Sequence, residues 1–165
     1  AVVFCVTAVS EVADYKANYE ADSCVVGTVA ALGRENRGVG RIAVLNLSAS
    51  YVPELNCRFH EHIVGVTEST WALTGAVRCR NADTDDWNTY VPIPLDEAYA
   101  YLRWEYDEKT LSSMDAVYAY EPETDTTARL NVDYAGDGVY FLYRADGELY
   151  GRITETDKNG VFSEE

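Results

Sequence analysis

Apolar and polar positions alternate with a period of two along most of the chain. Strand-like runs fall at 2–9, 24–31, 39–48, 57–66, 69–80, 87–92, 98–107, 114–121, 127–135, 138–145, 148–155 and 160–163. Most are bounded by Gly, Asp, Asn, Ser or Pro, the residues that supply turn geometry. Many short strands about 8–15 residues apart predict one all-β domain over 1–165. The expected form is an antiparallel two-sheet sandwich of jelly-roll-like complexity, with a closed barrel as the alternative. The opening run Val2, Val3, Phe4, Cys5, Val6 reads as a buried first strand.

A helical period competes at two places. Over 11–22, Val12, Tyr15 and Tyr19 share one face. Over 95–107, Leu95, Ala98, Tyr99, Leu102 and Tyr106 form a helical stripe, but Leu102, Trp104 and Tyr106 also alternate with Arg103 and Glu105. The aromatic enrichment favours a strand there.

Two hairpins stand out. A turn centred on Glu68 would fold 57–80 so that Cys57 faces Cys79, Phe59 faces Val77, Ile63 faces Leu73 and Gly65 faces Trp71. Arg58, His60 and His62 then share the wetter face with Arg78, Ala76 and Thr74. A one-residue slip would mix the faces, so the pattern selects this register. Opposed antiparallel residues lie about 4.5–5.5 Å apart at Cα, within disulfide range. This register therefore predicts a Cys57–Cys79 disulfide and leaves Cys5 and Cys24 as a second pair. Four buried free thiols are the alternative. An even cysteine set suits an oxidising compartment, and the expected location is extracellular or on a virion or cell surface. Asp146-Gly147 is a two-residue hairpin signal that pairs Tyr143 with Tyr150 and Phe141 with Arg152. With turns at Gly136-Asp137-Gly138 and Asn159-Gly160, it makes 127–163 an antiparallel meander.

Composition narrows the functional classes. The chain has 165 residues, 47% of them apolar, as a globular domain requires. No apolar run is long enough for a membrane helix. Thirteen basic residues stand against 28 acidic ones, a net charge of −15, which excludes binding to a nucleic-acid backbone. The charge is uneven. Residues 1–82 carry 7 basic and 8 acidic side chains, a net of −1, so residues 83–165 carry the other −14.

Candidate chemistry is sparse. His60 and His62 have the spacing of a strand chelate, yet they are the only histidines. Asp83, Asp85 and Asp86 offer oxygen ligands for a weak calcium site, without the glycine and glutamate of an EF-hand loop. There is no G-x-S-x-G nucleophile elbow and no phosphate-binding glycine loop. No cofactor is expected. Arg34, Arg37 and Arg41 cluster on a glycine-rich loop in an otherwise acidic chain, a basic tab suited to docking on the acidic half of a neighbouring molecule. These features predict a non-enzymatic structural or assembly protein acting through protein–protein interfaces: a virion coat, decoration or tail component, or a surface-layer element. Its partners would be copies of itself or other assembly proteins. The alternative is a secreted module binding a sugar, lipid or protein ligand through an aromatic cleft that draws on Trp71, Trp87 or Trp104.

Overall fold

The computed structural model describes residues 2–47, 65–93, 100–102 and 111–155. Its elements are α1 (Val2–Glu35), β1 (Arg41–Leu45), α2 (Thr70–Arg80), β2 (Thr89–Ile93), β3 (Ala100–Leu102), β4 (Ala116–Glu121), β5 (Thr126–Gly136), β6 (Val139–Tyr143) and β7 (Leu149–Glu155). The strands form one mixed sheet in the order β2-β1-β4-β5-β6-β7-β3. β1 runs parallel to both β2 and β4, and β3 runs parallel to β7. β4 to β7 form an antiparallel meander.

The fold is thus strand-rich, but the expected two-sheet sandwich and closed barrel give way to a single sheet with helices. The runs 2–9 and 24–31 both belong to α1, and 69–80 is largely α2. In α1 no proline interrupts the first 35 residues, and Val12, Tyr15, Tyr19, Val26, Val29 and Gly33 recur at steps of three, four and seven residues. That period places one face of a long helix, and it overrides the strand propensity of the valines. The face buries Val25, Val26, Val29, Ala30 and Leu32 against Ile42, Val44, Tyr90, Tyr118 and Tyr120 of the sheet. In α2 the Ser69 side chain accepts the Ala72 N–H as N-cap, and Leu73 and Val77 point into the same core.

The opposite face of the sheet has its own core of Ala43, Leu45, Val91, Ile93, Val117, Ala119, Leu130, Tyr140, Leu142 and Ile153, which Leu111 joins. β1 and β4 are therefore buried on both sides, as strands with parallel neighbours usually are. The helical 70–80 also removes the register proposed for a Cys57–Cys79 disulfide. Cys79 is a free, exposed thiol on α2, and Cys57 lies outside the described residues. Cys5 and Cys24 both belong to α1. Nineteen residues of helix separate them by about 28 Å, far beyond disulfide reach. Cys24 is free and exposed.

Over the described residues 127–155 the C-terminal meander follows its turn signals, and the expected Asn159-Gly160 turn lies outside the described residues. Asp137 and Gly138 take φ of 51° and 75°, the left-handed pair that a tight hairpin needs. Phe141 pairs with Arg152 as the Asp146-Gly147 turn implies. Tyr143 instead pairs with Leu149, because a bulge shifts the register after Leu142.

Candidate interaction surface

The described residues hold a buried polar latch and two exposed apolar surfaces. The latch begins at the loop 81–88 between α2 and β2. Asp86 is buried, and its carboxylate accepts hydrogen bonds from the Tyr90 hydroxyl (2.6 Å), Asn81 Nδ2 (2.9 Å) and the Asn88 backbone N–H (3.1 Å). Asn81 Nδ2 also reaches the Ala30 carbonyl at 2.9 Å, and Asn81 Oδ1 accepts Arg34 Nη1 at 2.8 Å. Asn88 Nδ2 donates to the Asn36 carbonyl at 2.8 Å, while Asn88 Oδ1 accepts the Gly40 N–H at 3.0 Å. Asn36 Oδ1 accepts the Tyr118 hydroxyl at 2.7 Å. Each buried polar group has a partner, so the network locks the end of α1 to β2 and β4. Burial, and the Asp86 carboxylate to which it donates, hold the Tyr90 phenol well above its ordinary pKa.

This latch needs Gly33. A Cβ there would overlap the Tyr90 hydroxyl and come within 2.5 Å of Asp86 Oδ2. The glycine lets α1 approach close enough for the network to close.

The latch changes the picture of the arginine cluster. Its stretch joins a helix to a strand rather than two strands. Arg34 sits in the last turn of α1, where its charge also suits the helix C-terminus, and it braces Asn81. Arg37 is exposed in the following turn, and Arg41 opens β1 with its backbone N–H on Asp115 Oδ2 at 2.8 Å. Arg34 and Arg37 are exposed and Arg41 is half-buried. Asp83, Asp85 and Asp86 do not converge on a cation, since Asp86 is turned inward to Tyr90 and Asn81 while Asp83 and Asp85 stay exposed. Among the described residues, no group of three His, Cys, Asp or Glu side chains is placed to hold a metal. His60, His62 and Trp104 lie outside the described residues. No described helix is long and apolar enough to cross a membrane.

The first exposed surface carries two tryptophans. Trp71 is 81% exposed and Trp87 74%. Trp71, Gly75 and Arg78 lie on one face of α2, with Trp71 and Arg78 two turns apart, about 10 Å along the axis. The space above Gly75 is open. Arg78 donates to the Trp87 carbonyl (2.8 Å) and the Asn88 carbonyl (3.0 Å), and its guanidinium lies 5.9 Å from the Trp87 ring centroid. It fixes the Trp87 backbone and sits over one face of the ring. The second surface is on α1, where Val12, Tyr15 and Tyr19 are 69%, 48% and 72% exposed.

No protein family, curated protein or solved structure matches the chain in comparison. The sequence offers Asp86 only as a calcium ligand and gives Asn81, Asn88 and Tyr90 no place in a buried network. The one signal was a phenol placed four residues after a carboxylate at the mouth of a strand.

Proposed function

We propose that this chain is a non-enzymatic assembly protein that acts through protein–protein interfaces, as a coat, decoration or tail component of a virion or as a surface-layer element. The supporting observation is that five large apolar side chains, Val12, Tyr15, Tyr19, Trp71 and Trp87, stand in solvent on two surfaces, although both sheet faces have cores in which to bury such groups. Contiguous exposed aromatics mark interaction sites, and Tyr and Trp are the residues that interfaces favour. Such a protein works outside the reducing interior or on a particle surface, with copies of itself or other assembly proteins as partners. Native mass spectrometry across protein concentration and a salt series tests the reading. Oligomers that grow with concentration and with salt are expected. A strict monomer at millimolar protein in low and high salt would refute it.

The Trp71–Trp87 surface also favours a second reading, a module that binds a sugar, lipid or protein ligand. A planar ring braced from behind by Arg78, with an open floor at Gly75, suits stacking of a flat ligand face. Tryptophan fluorescence during titration with oligosaccharides, lipid micelles and peptides tests it. A saturable change that Trp87→Ala abolishes supports this module, and a flat response to all three ligand classes rejects it.

A further inference from the structure

The helices cover only part of one sheet face. Among the described residues, the core beneath them draws on β1, β2 and β4 and takes nothing from β5, β6 or β7. Paired residues on neighbouring strands share a face. Tyr118 of β4 lies in that core and pairs with Arg129 of β5. Alternation along β5 then puts Asp133 on the same side, and pairing carries this face across to Phe141 of β6 and Arg152 of β7. Val139 and Tyr143 flank Phe141 on β6, so this strand offers three apolar side chains, each partly exposed. Leu149, paired with Tyr143, is 54% exposed. Asp133 and Arg152 stand exposed on either side, and neither side chain has a hydrogen-bond or ion-pair partner among the described residues. An apolar centre with a polar rim is the anatomy of an interface.

We propose that this half-face packs on the same half-face of a second copy, about a two-fold axis that runs along β6. This inference rests on the assembly reading above and adds a third surface to the two named there. Charge chooses the occupant. The row Asp133–Phe141–Arg152 is negative at one end and positive at the other. Turning a copy over about β6 exchanges the two ends, so Asp133 of each copy faces Arg152 of the other and ring meets ring. An axis across the strands would instead set Asp133 on Asp133 and Arg152 on Arg152. Arg129 obeys the same rule. It lies towards the end of the sheet where Asp146-Gly147-Glu148 joins β6 to β7, and the exposed Asp146 and Glu148 of the other copy come round to its side. Shape agrees with charge. A helix layer is about 10 Å thick and stacked sheets lie about 10 Å apart, so each bare half-face is a ledge deep enough to seat the other copy's strands. Aligned sheets cross at about 30°, which displaces side chains one strand from the axis by about 2–3 Å, within the swing of an arginine. Three strands make a small interface, so the expected Kd is about 10 μM to 1 mM.

Sedimentation equilibrium of the full chain up to millimolar concentration, in 0.15 M and 1 M NaCl, tests the pairing. The wild type is expected to dimerise. Asp133→Arg and Arg152→Asp should each weaken the dimer by about tenfold in 0.15 M NaCl, because symmetry reverses both pairs at once, and by less in 1 M. D133R makes the chain less acidic, so general repulsion between copies cannot cause its loss. D133R/R152D should return to within about threefold of wild type. D133N and R152Q, which remove a charge without reversing it, should each cost less than the reversals. Far-UV circular dichroism identical to wild type shows that each variant remains folded, since both side chains are exposed. Equal dimerisation of wild type, D133R and R152D rejects this face while the assembly reading stands. A double variant as weak as the single ones rejects the axis along β6. A wild type that stays monomeric in both salts overturns this face and the assembly reading together.

Discussion

Gly33 is the position that lets the latch close. Its missing side chain is the space in which the Tyr90 hydroxyl meets Asp86. Gly33→Ala is expected to destabilise the fold by about 1–3 kcal/mol, the range for an overpacked interior, as read by urea denaturation. Tyr90→Phe removes one donor from a buried carboxylate and should lower stability by about 1–3 kcal/mol at neutral pH. The pH dependence has a definite sign. The folded phenol holds its proton to higher pH than the unfolded chain, whose tyrosine ionises near 10.0. The stabilisation is therefore complete below pH 10 and is lost as pH rises beyond it, so the gap between wild type and Tyr90→Phe should narrow in alkaline denaturation curves. Asp22 has the opposite practical consequence. Burial raises its carboxyl above 3.8, against the Val66 N–H that lowers it. Stability linked to Asp22 is present below the unfolded value and falls as pH rises through the folded one. Asp22→Asn, whose amide oxygen can still accept the Val66 N–H, is expected to raise Tm at pH 7 and leave it unchanged at pH 3.

At the scale of elements, legibility in the sequence tracked how local the determining interactions are. The meander from β4 to β7 is set by turns of two to four residues, and its runs and the Phe141–Arg152 pair could be read directly. The Tyr143 register could not, because a bulge depends on how neighbouring strands twist. The helices were misread for a different reason. α1 is rich in valine, and its true period emerges only over several turns, while the short stretch 11–22 shows it in isolation. For α2, Trp71, Leu73 and Val77 fit alternation as well as a helix, and the Ser69 cap was the overlooked cue. A further sign lay in β1 and β4. Ile42-Ala-Val-Leu45 and Ala116-Val-Tyr-Ala-Tyr120 are continuous apolar runs, which a one-face-wet antiparallel sheet does not produce. The candidate site was partly legible: Trp71, Trp87 and the α1 stripe were visible as aromatic positions, but the role of Arg34 required the fold. Removing the α2 cap with Ser69→Ala should lower stability by about 1 kcal/mol and fray the first turn, seen as faster amide exchange at Leu73.

Across the whole molecule, charge and topology pull in different directions. Nearly all of the −15 lies in residues 83–165, which supply six of the seven strands. Self-repulsion of that kind weakens a compact state and is screened by salt. The urea midpoint is therefore expected to rise between 10 mM and 500 mM NaCl, and the same screening should favour association of copies. A midpoint that is flat or falls over this range would show that the acidic side chains are already neutralised by local pairing.

The position of β1 has a consequence for how the chain is made. Its neighbours on both sides arrive late, for Ile42 bonds alongside Tyr90 on one side and Ala116 on the other. At about 5–20 residues per second, ribosomal synthesis needs roughly 4–15 s to deliver the second of them. Until β2 arrives neither edge of its apolar Ile42–Leu45 run is satisfied, and until β4 arrives one edge stays open. The nascent polypeptide is thus a natural client for holdase chaperones, and truncations ending before residue 116 should accumulate as inclusion bodies.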